Sequence, residues 1–363
     1  MRASNATETG VFRRPSPSSL VLAIGLTGLS LISGCGVSTD AGGAASASSD
    51  APELAFITNG VADFWTIAEA GAIAGGVEFD AKVDVLMPQG ISDQKNMVDD
   101  CLTKMVDGIA ISPINPVDQV DLINRAAAST RLLTHDSDAP GTDRLCYIGM
   151  DNYKAGWMCG ELVRSALPDG GKVAVFIGRL EQDNARRRRQ GVIDAVLGRE
   201  PDATRYDAPD ATLVSEDGFE IVGTFTDQFD YPLAKANVED ALTVHEDLAA
   251  CVGLFGYNPP LILQALKVQG RLGEVAVIAF DEDQATLDGI ADGSVVGTVV
   301  QNPFLYGKES IRVLAGLHRG STLEELGVGP NGVLDIPARV IGPDNVAEFS
   351  AELDRNLGQG DGR

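Results

Sequence analysis

Residues 54–87 read LAFITNGVADFWTIAEAGAIAGGVEFDAKVDVLM. Two short apolar runs, 54–58 and 83–87, bracket a stretch of helical period at 64–79. The runs are nearly continuous in apolar character, as strands buried on both faces are. Between them, Trp65, Ala68, Ala72 and Val77 form the apolar face of the predicted helix. The unit recurs along the chain. Further strands are predicted at 108–112, 132–135, 147–149, 173–177, 221–226, 251–256, 275–280 and 295–300. Helices are predicted at 93–105, 116–128, 153–166, 185–197, 232–242, 259–269, 284–291 and 303–317. Pro232, Pro259 and Pro303 open three of these, where a missing N–H is harmless. So long an alternation implies an α/β protein with parallel sheets. Ten strands predict two doubly wound, Rossmann-like sheets, with 199–219, rich in Asp, Pro and Ala, as a surface loop.

The N-terminus carries a different signal. An apolar run at 20–31 is too short to span a bilayer but suits the core of a secretory signal. Arg2, Arg13 and Arg14 precede it, and Ile32-Ser33-Gly34-Cys35 follows. Small residues before a cysteine resemble a bacterial lipobox. Residues 1–35 therefore read as a lipoprotein signal peptide, with Cys35 the lipidated first residue of the mature chain. Residues 36–52, rich in Ser, Ala and Gly, read as a flexible linker. The expected place is the periplasmic side of the cell envelope, with membrane contact only through the lipid.

Composition excludes several functions. The chain of 363 residues has a formal charge of −24, which argues against nucleic acid or anionic lipid as a partner. Cys101, Cys146, Cys159 and Cys251 match no zinc spacing, and their pairing stays open. His135, His245 and His318 are scattered, so no metal site is expected. The sequence has no P-loop, dinucleotide fingerprint or serine-nucleophile elbow, and no cofactor is expected.

In open parallel sheets ligands bind beyond the carboxyl ends of the strands. Those tips carry Phe64-Trp65, Ser112, Asp136, Asn184 to Arg186, Tyr257-Asn258, Asp281 and Gln301. Aromatic rings cover the C–H faces of a sugar, while carboxylates, amides and arginine take its hydroxyls.

With these residues in hand, the chain resembles the type I periplasmic sugar-binding proteins of ABC importers, the ribose/galactose-binding group. The resemblance covers roughly 53–341 and rests on ITNGVADFW, DGIAISP, THDSDAP, YIGMDN, NARRRRQGV, LFGYN, VIAFD and GTVVQNP, in the family's order. It implies two domains joined by a three-segment hinge, 53–150 with 302–330 and 151–301 with 331–363. It implies that Phe64 and Trp65 sandwich the sugar and that Asp136 accepts from two hydroxyls opposite Arg186. Phe229 would stack from the other side, and Asn258, Asp281 and Gln301 would bind the remaining hydroxyls. Ala62, Ser112 and Ser137 depart from the ribose-binding pattern and leave fewer donors. A different pentose, hexose or deoxysugar is the expectation.

Of the run Arg186–Arg189, Arg187 and Arg189 read as solvated. Trp157 reads as core or hinge packing, and His135 as non-catalytic. The leading function is a non-enzymatic, monomeric receptor that closes on a monosaccharide and delivers it to ABC permease subunits. The alternative is a sensor presenting the closed complex to a membrane kinase or chemoreceptor. A sugar-active enzyme would need two carboxylates at a set separation, and only Asp136 and Asp281 could serve.

Overall fold

A computed structural model describes residues 51–356 and Gly358. The expected signal segment with Cys35, and most of the linker, lie outside the described residues.

The first sheet begins with β1 (Glu53–Ile57), β2 (Lys82–Leu86), β3 (Gly108–Ile111), β4 (Arg131–His135) and β5 (Tyr147–Gly149). The helices α1 (Asp63–Glu78), α2 (Ile91–Lys104) and α3 (Val120–Ala127) connect them. The chain then crosses into α4 (Asn152–Ala166), β6 (Gly171–Ile177), α5 (Asp183–Val196), β7 (Leu213–Val214) and β8 (Phe219–Thr226). It continues through α6 (Tyr231–Val244), β9 (Leu248–Gly253), α7 (Asn258–Gln269), β10 (Ala276–Phe280), α8 (Gln284–Asp292) and β11 (Gly297–Val300). Last come α9 (Pro303–His318), β12 (Val333–Asp335), β13 (Arg339–Ile341) and α10 (Val346–Asn356).

These strands form two sheets, ordered β12-β5-β4-β3-β1-β2 and β13-β11-β10-β9-β6-β8-β7. Pairing is parallel except at β11–β13 and β7–β8. Apart from the extra edge strand β7, the two orders correspond, with β4 of the first sheet standing where β10 stands in the second. Apolar layers cover both faces of each sheet. The α/β architecture of two doubly wound sheets is therefore the one the sequence predicts.

The chain passes between the sheets after β5, after β11 and after β12. β12 pairs with β5 in the first sheet. The third passage thus falls between Asp335 and Arg339, later than a boundary at residue 330.

Of the apolar face expected on α1, Trp65, Ala68 and Ala72 are buried and Val77 is not. Val77 is 84% exposed. The buried face carries the small-residue stripe Ala68, Gly71, Ala72 and Gly75, packed against α9. A Cβ on Gly71 would stand 1.9 Å from the Phe304 carbonyl oxygen, so only glycine permits this approach. The second lobe repeats the device, with Gly156 of α4 against the Arg188 carbonyl of α5. Cys101, Cys146, Cys159 and Cys251 are all buried free thiols, and burial raises their pKa values.

Candidate functional site

The carboxyl ends of the two sheets face each other, and each presents a buried aspartate at a corresponding place. Asp136 follows β4 and Asp281 follows β10. Both adopt left-handed backbone, with φ of +56° and +67°. That region is sparsely used by residues other than glycine, and aspartate tolerates it better than most.

Asp136 is 4% exposed. Its Oδ2 accepts from Ser112 Oγ (2.9 Å) and Asn59 Nδ2 (3.3 Å). Asn184 Nδ2, from α5 in the other lobe, lies 3.5 Å from both carboxylate oxygens, so the lobes meet here. Asp281 Oδ1 accepts from Gln301 Nε2 (2.7 Å), and its Oδ2 from the Gly256 N–H (3.1 Å). Burial pushes Asp136 up to about 6, against the pull of Arg188 and the Ser112 hydrogen bond. Burial also raises Asp281, again opposed by Arg188.

Arg188 is the cation between them. It is fully buried, with Cζ 3.7 Å from the centre of the Phe280 ring. Its Nη1 donates to the Leu254 carbonyl (2.7 Å) and its Nη2 to Asn152 Oδ1 (3.1 Å). Those bonds and the ring fix the planar guanidinium in place. Arg186, expected opposite Asp136, instead lies partly exposed and pairs with Asp183 (3.1 Å). The reason is helical phase. Residues two apart on a helix point about 200° apart, so only one of them can face the cleft. Arg187 is solvated and pairs with Asp183. Arg189 is not. It is buried and donates to Thr224 Oγ1 and to the carbonyls of Asp207 and Ala208, tying the 199–214 segment to α5.

The other predicted residues are placed as follows. Trp65 is buried edge-on against His135, and Phe64 is half-buried between Trp65 and Tyr306. His135 stacks on Phe56 and reaches the Ile57 carbonyl through Nε2. Burial lowers its pKa to about 3, so it is a neutral core residue. Asn258 is buried at the start of α7, accepting from the Phe255 N–H and donating to Asp227 Oδ2 (3.0 Å). Phe229 is 38% exposed and leans on Phe255 and Tyr257. Gln301 bridges the lobes, since its Oε1 accepts from the Tyr306 hydroxyl of α9 (3.2 Å). Trp157 is half-buried on α4 and donates to Glu161.

Sequence reasoning left Asn59, Arg188 and Asp227 out of the site, and named Asn184 at a strand tip without giving it a role. Asn184 and Arg188 stand four apart on α5, one helical face, which was a readable signal. Asn59 and Asp227 each follow a strand directly and look like ordinary turn residues in sequence.

This arrangement gathers hydroxyl acceptors and donors from both lobes around a dry, charged centre. Among the described residues no cluster has the composition of a metal site, and no helix is long and apolar enough to cross a membrane. Two sheets, three crossings and a site shared between lobes define a type I periplasmic binding protein. The profile of the periplasmic binding protein domain matches residues 54–322, and the chain belongs to that family. The D-ribose/D-allose-binding protein of Pseudomonas aeruginosa is 24% identical over 307 residues, covering 80% of this chain and 88% of that one. The D-xylose-binding periplasmic protein of Haemophilus influenzae is 24% identical over 267 residues, covering 72% and 76%. A solved ABC transporter solute binding protein from Burkholderia graminis, in complex with D-arabinose, matches with a TM-score of 0.72 and 27% identity. That match covers 82% of this chain and 96% of that one.

Proposed function

We propose that this chain is a lipid-anchored, monomeric sugar receptor that closes on one monosaccharide and delivers it to an ABC importer. The observation that carries the reading is the pair Asp136 and Asp281, presented from opposite lobes on either side of Arg188. Each buried carboxylate oxygen can accept more than one hydrogen bond, and a ligand that brings hydroxyl hydrogens suits the acceptor positions left over. Asn59, Ser112, Asn184 and Gln301 would orient the same ligand, and Phe64 and Phe229 would flank it. A ligand lacking one hydroxyl would leave a buried partner unpaired, at about 1–3 kcal/mol, which is the source of stereochemical selectivity. The relatives' sugars, ribose, allose, xylose and arabinose, define the first panel to test. A thermal-shift screen should find a monosaccharide that adds about 2.7 kcal/mol of stability at a hundredfold excess over Kd. A panel of pentoses, hexoses and deoxysugars with no effect on melting would refute the reading.

A further inference from the structure

Beside the proposed sugar site lies a carboxyl group that sugar binding does not use. Glu282 follows Asp281 directly and is only 8% exposed. Neither of its carboxyl oxygens has a hydrogen-bond partner. It lines a small cavity where the lobes meet. The first lobe contributes Ile67 of α1 and Phe304 of α9. The second contributes Arg339 of β13 and Phe349 of α10, and the crossing residue Gln301 completes the wall.

Few charges face this group. Asp281 and Asp283 stand on its own segment, and α1 brings Asp63 toward Asp283. β13 brings Arg339, and α10 brings Glu352 and Glu348 toward that arginine. The first turn of α9, Pro303 to Leu305, is uncharged. Arg339 is already committed, donating from both Nη1 and Nη2 to the Glu352 carboxylate at 2.9 Å. An ionised, unpaired carboxylate is too costly to keep in such a place, so the group there is neutral. Burial, with Asp281 adding to it, holds the Glu282 acid well above the usual carboxyl range.

Ile67 and Phe304 belong to the first lobe, so a parting of the lobes would remove them from this wall and admit water to Glu282. In water the carboxyl ionises near its ordinary value of about 4.3. We propose that closure of this receptor takes up one proton, on the carboxyl of Glu282, and that acid therefore favours the closed form. The inference rests on the lobe closure of the proposed function, not on which sugar is bound.

The sign follows from linkage. The closed state binds one more proton than the open one, so closure weakens as pH rises, by up to about tenfold per pH unit. The test is small-angle X-ray scattering on the ligand-free protein from about pH 7 to pH 8.5, above the value of about 6 at Asp136, for wild type, Glu282→Gln and Glu282→Leu. The wild type should expand as pH rises, while both variants stay compact. A radius of gyration that does not change with pH in the wild type, or that changes equally in folded variants, overturns the proposal. Once a binding sugar is known, calorimetry in two buffers of unlike ionisation enthalpy counts the proton directly. Uptake should occur in the wild type, and Glu282→Gln should lack it and bind at least tenfold tighter near pH 8. Equal proton counts would again overturn the proposal. A failed sugar screen counts against the proposed function, and scattering still decides this inference.

Discussion

Replacing Arg188 by methionine is the sharpest probe of the site. Methionine keeps much of the packing against Phe280 but removes the charge and the two donors. Two losses follow. The carbonyl of Leu254 and Oδ1 of Asn152 lose their hydrogen bonds, at about 1–3 kcal/mol together with the desolvation left behind. Asp136 and Asp281 also lose the cation that offsets their burial. Breaking a buried charge cluster in this way costs about 3–5 kcal/mol in total near neutral pH. For a folding unit the size of one lobe this lowers Tm by about 6–20 °C. The charge part depends on pH. Without Arg188 both carboxyls move still higher, so acid protonates them and removes that share of the penalty. Urea unfolding of the ligand-free wild type and Arg188→Met at about pH 7.5 and pH 5 should give a difference that shrinks toward about 1–3 kcal/mol in acid. A difference that is equal at the two pH values would mean that Arg188 packs and hydrogen-bonds without balancing the aspartates.

Three further outcomes are expected. Asp136→Asn should lower sugar affinity by about 2–4 kcal/mol in titration calorimetry, since a charge-assisted acceptor is lost. The same variant tests the pH dependence of stability. The folded-state carboxyl sits up at about 6, so its contribution is present below the ordinary value and lost as pH rises through 6, and Asn should melt no lower than wild type at neutral pH. Gly71→Ala should destabilise the first lobe by about 1–3 kcal/mol in thermal melts, because its Cβ meets the Phe304 carbonyl of α9. Cys35→Ser should leave an unprocessed or soluble precursor, and membrane fractionation showing normal attachment would refute lipidation at that residue.

The repeating strand–helix pattern was legible because buried parallel strands are continuous apolar runs, and each of the ten predicted strands has a counterpart in the sheets. The parts that escaped are short. β7 has two residues, and β12 and β13 have three each, too few to show any period. Missing β12 is what set the third crossing too early. Val77 misled because α1 packs by its glycines, which carry no hydrophobic signal. At the site, Asp136, Asp281, Asn258 and Gln301 were visible as polar residues ending apolar runs. Choosing Arg188 over Arg186 needed the phase of α5, and Glu282 looked like an ordinary surface acid beside Asp281.

The correspondence between the sheets explains how two lobes can share one ligand. β4 and β10 occupy the same place in their strand orders, and each ends in an aspartate with positive φ. Holding a non-glycine residue there costs on the order of 1 kcal/mol. Each is then fixed from its own lobe, Asp136 by Ser112 and Asn59, Asp281 by Gln301 and Gly256. Arg188 shares a lobe with Asp281, and the contact between lobes brings Asp136 under the same guanidinium. A ligand's hydroxyl hydrogens would add donors to both carboxylates. In the proposed receptor, selectivity would lie in the neighbours that differ between the lobes. Ser112 offers a single hydroxyl donor, Asn184 an amide from the other lobe, and Gln301 is held between Asp281 and Tyr306. A repeated frame sets where the two carboxylates stand, and in the proposed receptor a handful of uncharged side chains around them would decide which sugar satisfies both.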